Sequence, residues 1–118
     1  MSVSLGEFEQ LVLLAVLRLG DSAYGVQIRR AIEDKTGRDV AAGAIYTTLS
    51  RLEKRGFVSS RPGETIPERT GQRRRYYAVQ PEGAAALYRS YSDVRRMAHG
   101  VLGDLESLAR EAGEGLSP

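Results

Sequence analysis

The sequence predicts a mainly α-helical fold carrying a small β-hairpin, and three stretches predict it. Ala41 to Arg55 (AAGAIYTTLSRLEKR) places Ile45, Leu49 and Leu52 on one helical stripe, with small, hydroxylated and cationic side chains on the other side. Two strand-like segments follow, Phe57 to Arg61 and Gln72 to Val79, separated by a loop from Pro62 to Gly71 with two prolines and two glycines. From Ala84 to Leu108, apolar residues then recur at alternating spacings of three and four.

A chain of 118 residues is one domain with a modest core, and oligomerisation would help to stabilise it. Hydrophobic residues at 42% and charged residues at 27% are ordinary for a globular protein in water. The longest apolar run, Leu11 to Leu17, falls far short of the ~20 residues that cross a bilayer, so no membrane partner is expected. The N-terminus lacks the basic start and cleavage site of a signal peptide. Without cysteine there is no disulfide framework and no thiolate metal site, which points to the cytoplasm. Charge is unevenly placed: twelve of the seventeen Lys and Arg residues, but only six of the fifteen Asp and Glu, lie between Arg29 and Arg75. A positive middle suits contact with phosphates, although a solvated face has the same composition.

Leu5 to Leu19 reads as the first helix. Leu11 to Leu17 is apolar almost all round, more than one small core can cover, so a second subunit is expected there through Leu11 and Leu14. Gly20-Asp21-Ser22 ends it, with Ser22 as candidate N-cap of a second helix from about Ala23 to Lys35. Tyr24, Ile28, Ala31 and Ile32 point inward there, and Arg29, Arg30 and Lys35 lie nearer solvent. A connector from Thr36 to Val40 makes helices two and three a helix-turn-helix pair. The third helix presents Gly43, Tyr46, Thr47, Ser50, Arg51 and Lys54 as its polar front, chemistry suited to a DNA major groove. An ordinary surface helix has the same pattern, and the neighbouring segments decide between them. The hairpin forms a wing whose Arg69, Arg73, Arg74 and Arg75 can reach a sugar-phosphate backbone; such arginines also serve as edge-strand charges that block aggregation.

Pro81 fits the first turn of a last helix extending to about residue 112. Its seam of Ala84, Leu87, Tyr91, Val94, Ala98, Val101, Leu105 and Leu108 implies a partner helix and hence a homodimer built as a coiled coil. Gly100 and Gly103 weaken that helix and permit close packing or a bend. The expected organisation is a winged helix-turn-helix over 1–80, a dimerisation helix over 81–112 and a disordered tail over 113–118.

These segments together resemble the PadR family of bacterial transcriptional regulators over nearly the whole chain. GEFEQLVLLAVLRLGDSAYGVQI is similar to the family's opening helix and its aromatic-glycine turn, here Tyr24-Gly25. GAIYTTLSRLEKRGFV is similar to the recognition-helix signature, with Tyr46, Leu49, Arg51, Leu52, Glu53 and Gly56 in register. RRRYYAVQPEG resembles the closing strand of the wing and the entry to the last helix. Thr47 stands where many members carry proline, and Gln80 where a capping threonine is common. The single terminal helix resembles the short subgroup of the family. The resemblance implies a homodimeric repressor on an inverted-repeat operator in double-stranded DNA. Tyr46 would then meet a phosphate or a thymine methyl, Thr47 and Ser50 base edges, and Arg51 and Lys54 phosphates. Some relatives hold flat aromatic or cationic drugs between subunits, often on tryptophan. This chain has no tryptophan, and a small aromatic ligand would have Phe8, Tyr88, Tyr91 and Met97 to stack on.

Catalysis is not expected. His99 is the only histidine, and no phosphate-binding glycine loop or paired-carboxylate motif is present. No cofactor or metal is implied, since one imidazole builds no site alone. The rival class is a winged helix that binds protein instead of DNA through its terminal helix. Acidic residues in place of Arg51, Lys54 and the wing arginines would have favoured it.

Overall fold

The core is assembled where three short helices turn their apolar stripes toward one another. In a computed structural model describing residues 5–67 and 72–116, α1 spans Glu7–Leu19, α2 Gly25–Thr36 and α3 Ala42–Lys54. Val12, Leu13 and Val16 from α1, Ile28 and Ile32 from α2, and Ile45, Leu49 and Leu52 from α3 are all buried in one cluster. Each such side chain contributes about 1.5–3 kcal/mol on leaving water. The cluster extends through Phe57 and Val58 to Ala86 and Leu87.

The start of α2 differs from expectation. Ser22 lies in a single 3₁₀ turn, Gly20–Ser22, and does not cap α2. The cap position is Tyr24, in extended conformation, because this residue is held as a strand: it forms a β-bridge with Tyr76, and Ala23 O accepts the Tyr77 N–H at 2.8 Å. The hairpin consists of β1, Val58–Thr65, and β2, Arg73–Val79, paired antiparallel from Val58 opposite Val79 to Thr65 opposite Arg73. β2 is thus bonded on both edges. Pro62 to Thr65 is strand and not loop, since an edge strand tolerates proline and a register shift between Pro62 and Thr65 absorbs the irregularity. Arg69 lies outside the described residues.

The last helix is two helices, α4 over Pro81–Ala98 and α5 over Leu102–Glu111. Between them Gly100 has φ +85°, a left-handed conformation that other residues adopt only at a cost, so the single helix of 81–112 is broken at this glycine. The heptad spacing continues across the break without a continuous helix to carry it. Leu87 also departs from its expected place on the seam: it lies in the protomer's own core. Gln80 does not cap α4 with its side chain; its Nε2 donates to Ser59 Oγ at 2.7 Å, and its N–H donates to Phe57 O, tying the helix start to β1. Beyond α5, residues 114–116 have no regular secondary structure, and Ser117 and Pro118 lie outside the described residues.

Residues up to Tyr88 form one compact unit and those from Arg89 a second. No described helix is long and apolar enough to cross a membrane.

Candidate nucleic-acid interface

Burial of Ile45, Leu49 and Leu52 fixes which side of α3 remains outside. Gly43, Tyr46, Thr47, Ser50, Arg51 and Lys54 are all exposed on that side, so the helix brings together all six residues of the expected front. Gly43 has open space where a side chain would stand, and Tyr46 is half exposed. Among the described residues neither Arg51 nor Lys54 has an ion-pair partner, which leaves both cations available to an external anion.

Tyr46 is positioned by a glycine on the neighbouring helix. A Cβ on Gly25 would overlap the Tyr46 ring and hydroxyl, so the tyrosine lies directly on the first turn of α2. The aromatic-glycine pair Tyr24-Gly25 therefore has two separate tasks: the aromatic joins the sheet, and the glycine admits Tyr46.

The three wing arginines have different surroundings. Arg74 and Tyr76 share one face of β2. The Arg74 guanidinium pairs with Glu64 at 2.9 Å and lies 4.5 Å from the centre of the Tyr24 ring, and the Tyr76 hydroxyl donates to the same carboxylate at 2.6 Å. Hydrogen bonds from Tyr76, the backbone and Arg74 hold the Glu64 carboxyl down at about 2. The same contact raises the Tyr76 hydroxyl and the Arg74 guanidinium above their ordinary values. The Tyr24 and Tyr76 rings meet edge to face at 5.5 Å. Arg74 thereby braces the wing from a partly exposed position.

Arg73 and Arg75 alternate to the other face and are exposed. Arg73 Nε donates to Gly63 O at 2.8 Å. Arg75 donates from Nε and Nη2 to Ser60 Oγ at 3.2 and 3.0 Å, and Ser60 Oγ donates to Glu53 Oε2 at 2.7 Å. This chain of bonds joins the wing to the last turns of α3 and orients the two relative to each other. Tyr77 is half-buried beside it, and burial, then the Glu53 carboxylate, raise its hydroxyl. Sequence reasoning missed this link; Glu53 entered only as part of a motif, and its partner Ser60 lies on a strand whose register no local pattern specifies.

Two further charge pairs link α1 to residues that follow α2 and α3. Arg55 bonds Glu9 at 3.1 Å and lies over the Phe57 ring, and Arg38 bonds Glu7 at 2.7 Å. No cluster of His, Asp or Glu able to hold a metal occurs among the described residues.

The sequence matches the family model described as Transcriptional regulator PadR-like family over residues 13–89. Solved structures are similar in fold. A transcriptional regulator from Clostridium thermocellum is 26% identical with a TM-score of 0.64, covering 80% of this chain and 86% of its own. A PadR family transcriptional regulator from Eggerthella lenta has the same identity and TM-score over 85% and 87% of the two chains. A PadR family transcription regulator from Clostridium difficile, 21% identical with a TM-score of 0.64 over 83% and 98%, shares the fold. No curated protein matches the sequence. The matched region takes in α2, α3 and the wing and well over half of the chain, so the chain belongs to the transcriptional regulator PadR-like family: it is a DNA-binding regulator of transcription and not an enzyme.

Proposed function

We propose that the protein is a homodimeric repressor that reads an inverted-repeat operator, with α3 of each subunit in a major groove. The observation that carries this reading is the front of α3, where an open Gly43 stands beside exposed Tyr46, Thr47, Ser50, Arg51 and Lys54 over a fully buried back. Thr47 and Ser50 reach base edges, while Arg51 and Lys54 contact phosphates and supply affinity more than sequence choice. Arg73 and Arg75 extend the contact to the flanking backbone, and Arg74 keeps the wing in shape.

Dimerisation is supported by apolar surface that the protomer leaves uncovered. Tyr91, Val94 and Met97 on α4, and Val101, Leu102, Leu105 and Leu108 at and along α5, are more than half exposed, and Leu14 and Leu17 on α1 are exposed as well. Exposed apolar residues in such number mark an interface, and a second identical chain supplies the self-complementary partner. Leu11 and Ala98 are partly buried and border these residues in sequence.

Selection of bound fragments from genomic DNA tests the reading. The expected result is an enriched palindrome whose half-site centres stand one DNA turn apart, ~34 Å. Enrichment of no sequence, or of an asymmetric one, would contradict it.

A further inference from the structure

A cleft of about 290 Å³ opens between α2 and the start of α3, with Gly25, Arg29, Arg30, Glu33, Ala42 and Tyr46 in its walls. Arg29 is its unusual member. Its Nε is the one buried side-chain nitrogen or oxygen without a hydrogen-bond partner among the described residues. The Glu33 carboxylate stands 3.6 Å away, too far for a hydrogen bond, and Glu33 Oε2 instead accepts the Val40 N–H at 3.0 Å. Glu33 is thus an anchor for the turn before α3 and also the ion-pair partner of Arg29, whose side chain remains 44% exposed toward the cleft. The Nε donor has no hydrogen-bond acceptor, and the exposed end of the guanidinium can take one from solvent or from an anion in the cleft. Arg30 adds a second cation, so the wall carries a net positive charge despite Glu33.

The remaining walls are mixed: Val26 and Ala42 are apolar, and Tyr46 supplies a hydroxyl. The Tyr46 hydroxyl lies against Gly25, and neither α2 nor α3 has a side-chain cap over its first-turn N–H groups. Tyr46 belongs both to this cleft and to the exposed front of α3, so whatever occupies the cleft is continuous with whatever α3 reads.

We propose that this cleft seats one phosphodiester of the DNA backbone, with the Arg29 guanidinium as its charge and the Tyr46 hydroxyl as a hydrogen-bond donor. The seat rests on the DNA-binding reading above and adds to it a residue from outside α3 and the wing. It fixes the depth at which α3 enters the groove, because the phosphate is gripped at the junction of the two helices.

Two measurements test it. The first is affinity for a random-sequence duplex across a salt series, for wild type, Arg29→Gln, Arg29→Lys and Arg96→Gln as an exposed control on α4. Wild type is expected to weaken steeply with salt, and Arg29→Gln to bind several-fold more weakly with a log–log slope shallower by about 0.9, the value for one lost phosphate contact. Arg29→Lys should recover the slope, and Arg96→Gln should match wild type. A steep wild-type slope that Arg29→Gln leaves unchanged overturns the seat alone, whereas wild type without salt-dependent binding overturns the DNA-binding reading and the seat with it. The second measurement is titration of wild type with inorganic phosphate, followed by backbone amide shifts, and it decides the matter should Arg29→Gln fail to fold. Shifts concentrated at Gly25, Val26 and Ala42 support the seat; shifts elsewhere, or none, overturn it.

Discussion

Tyr46 occupies a site that Gly25 creates. A methyl group at residue 25 would overlap the tyrosine hydroxyl and ring edge, so Gly25→Ala must displace the ring or separate the helices. The half-exposed ring can yield into solvent, so thermal stability should fall by about 1 kcal/mol or less, and the main expected loss is in DNA binding. Gly43 should behave oppositely. It is exposed within a helix with free space around it, so Gly43→Ala should stabilise the fold by about 0.5–1 kcal/mol. Gly43→Leu should fold equally well and lose DNA affinity, because the larger side chain blocks close approach; unchanged affinity would remove α3's N-terminal end from the contact. Both glycines could be seen in the sequence, but only the residue pairing explains Gly25. The aromatic before it resembled a family turn pattern at most, and nothing local joins position 25 to position 46.

At the scale of elements, helix periodicity was the most legible signal. The stripe Ile45, Leu49, Leu52 faces inward as its spacing requires, because a 3.6-residue period admits only one buried side. Leu49→Ala should cost about 2–5 kcal/mol by opening a cavity that the surrounding helices cannot close, measurable by chemical denaturation. The wing was less legible. Pro62 and Gly63 carry the composition of a loop, yet partner strand β2 and the Glu64 contacts draw them into β1. Those contacts give the wing a pH dependence. Glu64 is held at about 2 in the folded wing against 4.5 for the free side chain, so its contribution is fully present above about 4.5 and is lost as pH falls toward 2. In folded wild type the Tyr76 ring resonances should therefore titrate with a midpoint at about 2, and Glu64→Gln should abolish the titration. Equal behaviour of the two proteins would detach Glu64 from Tyr76. The terminal helix shows the limit of periodicity in the other direction: alternating three and four spacings persist through Gly100, where the backbone itself does not remain helical.

Over the whole molecule, charge and apolar surface are segregated along the chain. Cations gather from α2 through the wing, while exposed apolar side chains gather on α4 and α5. Composition made the first half of this division readable, and the spacing from Ala84 onward made the second readable. The sequence did not show that Leu87 is used by the core, since a seam residue and a core residue follow the same periodicity on one helix. If the two surfaces serve different partners, their loss should be separable. Leu105→Asp is expected to raise the dimer dissociation constant by at least tenfold in sedimentation equilibrium while each protomer keeps its helical signal, a buried charge being costly without a partner. Tyr46→Ala should leave the dimer intact and lower operator affinity. The most direct measurement is the stoichiometry of the protein on its selected operator, read by analytical ultracentrifugation of the complex. Two protomers on one palindromic duplex, reduced to none by Leu105→Asp at the same concentration, is the expected result. A single protomer bound with full affinity, or a dimer that ignores the duplex, would contradict it.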